Sequence, residues 1–119
     1  MSSSKLIISA STSYLAENAA ITLLKGGFSA KTARISYTVA HGLPSVKDIE
    51  NYPLILEGTL GGYSTNIYIY SVTAGYGGTG PLAMVAILKA AGFDFNESDI
   101  LTEKMRRGPY DQISLVYTR

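Results

Sequence analysis

The chain has 119 residues, 46% of them apolar and 16% charged, with a formal net charge of +1. That balance describes one folded domain with a real core, excludes a disordered chain or two separate cores, and lacks the basic excess with which duplex-binding proteins neutralise phosphates. Zero cysteines remove disulfides, thiolate metal sites and a cysteine nucleophile at once, which suits a reducing compartment.

Met1 to Ser11 carries one lysine and too short an apolar run for a secretory signal. No segment reaches the roughly 18 apolar residues of a membrane span, so a soluble cytoplasmic protein is expected. Lys5 to Ser9 (KLIIS) is apolar enough for a strand inside a sheet. Ser11, Thr12 and Ser13 offer capping hydroxyls to a helix over Tyr14–Lys25, with Leu15, Ala19, Thr22 and Leu23 on one face. Gly26 and Gly27 supply the left-handed turn that ends it.

Arg34 to Ala40 (RISYTVA) alternates, with Ile35, Tyr37 and Val39 on one side, and predicts a half-buried strand. His41-Gly42-Leu43-Pro44 breaks it, and Ser45 to Asp48 has the form of a capping box for a single helical turn ending near Tyr52. Leu54 to Leu60 (LILEGTL) follows as a strand in which Gly58 marks a bulge or a close backbone approach. The pair Gly61-Gly62 predicts a hairpin, and Thr65 to Val72 (TNIYIYSV) returns antiparallel. Ile67 and Ile69 point one way and Tyr68 and Tyr70 the other, so both faces of this strand want partners.

The stretch Gly62 to Phe93 organises the rest: a strand, a glycine-dense loop and a helix apolar on nearly every side. Leu82, Met84, Val85, Ile87 and Leu88 leave Lys89 as the only charge on that helix, which predicts burial by the sheet or by a second copy of the chain. A homodimer or higher homo-oligomer is therefore expected. Gly92 caps the helix, and Phe93 and Phe95 return two aromatics to the body. Ile100 to Met105 reads as a strand, although Asn96 and Ser98 are both good helix caps. Arg106-Arg107-Gly108-Pro109 makes a turn, and Asp111 to Thr118 (DQISLVYT) is the last strand. The element order lacks regular β-α alternation and no internal repeat is evident. It predicts a single compact α+β domain, a mostly antiparallel sheet packed against two main helices, with residues 1–4 frayed.

The candidate site is the loop Gly75-Tyr76-Gly77-Gly78-Thr79-Gly80, between strand and helix. Glycines let backbone N–H groups turn inward and approach an anion, and the helix start at Pro81 adds a partial positive charge. Thr79 serves as N-cap or donates its hydroxyl to the anion, and Tyr76 stacks on a base or sugar. There is no Gly-Lys-Ser/Thr ending and no dinucleotide-type spacing, so the loop belongs to no named phosphate motif. The alternative reading is a tight turn. Among the cations Arg34, Arg106, Arg107 and Arg119, the pair Arg106-Arg107 beside Tyr110 forms a candidate clamp over an anionic ligand.

His41 pairs with no evident triad, and Glu57, Asp94, Glu97 and Asp99 match no metal spacing. No catalytic set, metal or cofactor is assigned. The leading expectation is non-enzymatic binding of a small anionic ligand such as a nucleotide or nucleotide-derived signal. The alternatives are an inhibitor- or immunity-type interaction module using Tyr63, Tyr68, Tyr70 and Tyr110, and, third, a small phosphodiesterase or cyclic-phosphate lyase.

Overall fold

A computed structural model describes residues 4–37, 52–74, 78–102 and 113–119. Along the chain these form β1 (Ser4–Ile8), α1 (Ser13–Lys25), β2 (Ser29–Tyr37), β3 (Leu54–Leu60), β4 (Tyr63–Ile69), α2 (Thr79–Ala90), α3 (Ser98–Leu101) and β5 (Ile113–Thr118). The strands make one five-stranded sheet in the order β1-β4-β3-β2-β5. Three of its four pairings are antiparallel and β1–β4 is parallel. The expected α+β class and mostly antiparallel sheet are therefore what the chain forms.

Strand alternation sorts the residues onto two faces. In register across the sheet, Leu6 and Ile8 of β1 meet Ile67 and Ile69 of β4, which meet Leu56 and Leu54 of β3, which meet Ala33 and Ile35 of β2. This continuous apolar face is covered by helices, with Ala16 and Ala20 of α1, Met84, Ile87 and Leu88 of α2 and Ile100 of α3 in the same core. At roughly 25 cal/mol per Å² of apolar surface removed from water, this layer is the main source of stability. On the opposite face a smaller cluster gathers Tyr52, Ile55 and Tyr68, with Tyr70 packed against it. Both faces of β4 are thus occupied from within the chain.

The two long helices end alike. Gly27 (φ 111°) and Gly92 (φ 87°) adopt the left-handed conformation one residue beyond each C-cap. Phe28 N–H donates to the Leu23 carbonyl at 3.0 Å and Phe93 N–H to Leu88 at 3.1 Å. These are Schellman turns, and each delivers a buried phenylalanine onto the core. The hairpin between β3 and β4 is equally local in origin: Gly61 and Gly62 have φ of 60° and 85°, positive at both positions as a tight two-residue turn requires.

Three expectations about these elements differ from the structure. The buried face of α1 carries Ala16 and Ala20, whereas Leu15 is 49% exposed; two alanines let α1 approach α2 closely, a gain that leucine volume on that face would forfeit. β2 begins at Ser29 rather than Arg34. Its first residues have modest strand preference, but they pair with β3 on one side and β5 on the other, and tertiary pairing overrides propensity. Residues 98–101 are helical, not a strand. The side chain of Asn96 accepts from Ser98 N–H at 3.2 Å and the Asn96 carbonyl accepts from Asp99 N–H at 2.9 Å, so the capping signal prevails. Gly80, Pro81, Ala83, Met84, Val85, Ile87 and Leu88 of α2 are all buried within the single chain, the first of the two ways of covering this helix expected from its sequence.

The glycine in β3 is a close approach. A Cβ on Gly58 would lie 1.9 Å from the Ser29 carbonyl oxygen and 2.9 Å from Ala30 Cα. The irregularity itself sits across the pair, where β2 carries an extra residue between Ala30 and Thr32. Gly58→Ala is expected to cost about 3 kcal/mol in urea denaturation, because backbone atoms must move. Gly27→Ala, in open space at positive φ, is expected to cost only about 1 kcal/mol.

Candidate functional site

Strand direction determines what gathers at each end of the sheet. β1, β4 and β2 run one way and β3 and β5 run back, so Ile8, Ile69, Tyr37, Leu54 and Ile113 share one end, here called the upper end. α1 leaves β1 there and descends to Ser29 at the lower end. α2 ends at the lower end as well, where Gly92 lies against the guanidinium of Arg119. The two helices pack side by side with both first turns at the upper end.

Short polar ties lock that junction. Tyr70 N–H donates to the Ile8 carbonyl at 2.9 Å and extends the β1–β4 ladder past the strand ends. Ser71 then turns left-handed, with φ of 70°, a conformation that costs a side-chain-bearing residue about 1 kcal/mol. Two hydrogen bonds hold it: its hydroxyl donates to the Ala10 carbonyl, and its own carbonyl accepts from Ser13 Oγ at 2.7 Å. Ser13 is the first residue of α1, whose N-cap Thr12 accepts from Leu15 N–H at 3.2 Å.

Val72 and Ala74 are buried in the core, and Thr73 between them packs on the start of α2. A Cβ on Gly80 would lie 2.2 Å from Thr73 Oγ1. Gly80 thus has a packing reason to be glycine, independent of any ligand. The N-cap of α2 is Gly78, in extended conformation at φ 175° and without a side chain to cap the first turn. Thr79 is therefore not the N-cap expected from the sequence but an exposed first helical residue. Pro81 is fully buried in that turn and contributes no N–H.

Of the predicted site residues, Gly78, Thr79 and Gly80 are brought to the upper end beside the first turn of α1. Gly75, Tyr76 and Gly77 lie outside the described residues, as do Arg106, Arg107 and Tyr110, His41 and the Ser45–Asp48 box. The other two arginines are engaged elsewhere. Arg34 pairs with Glu57 at 3.0 Å on the sheet face turned away from the helices. Arg119 donates to the Ala30 carbonyl at 2.9 Å at the lower end. Two of the acidic residues near α3 are partnered too, Glu97 with Lys89 at 2.8 Å and Asp99 with the Tyr117 hydroxyl at 3.1 Å. No cluster of metal-ligating side chains occurs among the described residues.

Among the described residues, Tyr63 does not share a surface with Tyr68 and Tyr70. Tyr68 is 8% exposed and meets Tyr52 edge-on at 6.1 Å, with Tyr70 at 5.8 Å from Tyr52. Tyr63 is 72% exposed and shares the strand parity of Ile67 and Ile69, on the helix side. Sequence reasoning missed Tyr52 as the centre of this cluster and Ser71 as the tie between β1, α1 and β4. A serine carries no composition signal for a left-handed turn, and Tyr52 sits outside any alternating run.

Comparison of the chain with protein-family models, with curated proteins and with solved structures returned no match. Among the described residues no helix is long and apolar enough to cross a membrane.

Gly80→Ala is expected to destabilise the fold by about 2 kcal/mol through the clash with Thr73. Combined with Thr73→Ala it should cost less than the sum of the single changes, which a double-mutant cycle of urea midpoints will show. The Tyr117 phenol is pushed up to about 12 by burial, by its hydrogen bond to Asp99, and by the charges of Asp99 and Tyr37. Its stabilising contribution is fully present below the unfolded value of about 10 and is lost as pH rises from there toward the folded value. The urea midpoint should therefore fall more steeply above pH ~10 in the parent than in Tyr117→Phe.

Proposed function

We propose that this protein binds a small anionic ligand, a nucleotide or nucleotide-derived signal, at the upper end of its sheet between the first turns of α1 and α2. One observation carries the reading: two helices begin side by side just beyond the C-terminal ends of the adjacent parallel strands β1 and β4. The first turns of both are tied to residues 71–73, through Ser13 to Ser71 and through Gly80 to Thr73. Unsatisfied first-turn N–H groups and aligned peptide dipoles favour a phosphate or carboxylate at such a place, and crevices beyond the carboxyl ends of parallel strands are where open sheets bind ligands. The N-cap of α2 is a glycine, Gly78, with no side chain of its own to cap the first turn, which suits that turn to an external acceptor.

The charge comes from Arg106 and Arg107. They lie in the segment between Leu101 and Ile113, and that segment rejoins the sheet at the upper end, where Ile113 pairs with Tyr37. β5 is three strands from β4, about 14 Å at ~4.8 Å per strand. Arg106 lies seven positions before Ile113, a length of chain that spans up to about 24 Å when extended. Tyr76, among its glycines, stacks on the base, and Tyr110 closes the site. The role proposed is binding rather than turnover, and it accords with the hydroxyls of Ser13 and Ser71 being spent on backbone carbonyls. A cysteine-free chain suits the reducing cytoplasm, where such ligands are abundant.

Isothermal calorimetry at low salt against mono-, di- and cyclic nucleotides and inorganic phosphate is the test. At least one nucleotide should bind in the micromolar range. The Arg106→Gln, Arg107→Gln double variant should weaken that binding by roughly tenfold or more, as loss of charge-assisted hydrogen bonds implies. Binding no tighter than millimolar across the panel would overturn the proposal.

A further inference from the structure

We draw no further inference here: the strongest candidate, the exposed Ile7 and Val116 beside the buried Tyr52–Tyr68 cluster on the sheet face turned away from the helices, is an apolar patch, and nothing among the described residues shows what covers it.

Discussion

The parallel pairing of β1 with β4 is the constraint on which the rest of the molecule depends. Parallel neighbours must be joined by connections that return the chain to its starting end, and here each of the two strands is followed by a descending helix. Had β1 paired antiparallel, α1 and α2 would start at opposite ends of the sheet. The register Leu6 to Ile67 and Ile8 to Ile69 also places these four apolar residues on one face, where they pack into the core under the helices.

Close packing makes that layer possible. Ala16 and Ala20 of α1 and Ala83 of α2 are all but inaccessible to solvent, and small residues let the helices sit near one another and on the sheet. Both helices then stop at a glycine in left-handed conformation followed by a buried phenylalanine. At the upper end Ser71 adopts a conformation serine disfavours, held by bonds to Ala10 and Ser13. Strain at one residue, offset by two hydrogen bonds, keeps the two first turns in a fixed relation.

Much of this was legible from local chemistry. The hairpin follows from Gly61-Gly62 between two apolar runs, the end of α1 from Gly26-Gly27, and the last strand from the alternation of Ile113, Leu115 and Tyr117. What was not legible depends on distant partners. KLII carries no signal for the direction of its neighbour, and Ser29 to Ala33 becomes a strand only because β3 and β5 flank it. α1 buries alanines rather than Leu15 because of what α2 presents to it. At the candidate site, the glycine loop's position before α2 was visible in the sequence, but the part α1 plays there was not. It follows from the β1–β4 pairing, which joins residues 61 positions apart along the chain, such as Leu6 and Ile67.

An amide-resolved NMR titration with the tightest-binding nucleotide addresses the central claim most directly, that a ligand sits between two helix starts. The largest and earliest shifts should fall on the amides of Ser13, Tyr14 and residues 78–82, with the lower-end turns at Gly27 and Gly92 unmoved. Shifts centred instead on Tyr68, Tyr70 and their neighbours on the opposite sheet face, with the helix starts silent, would contradict it.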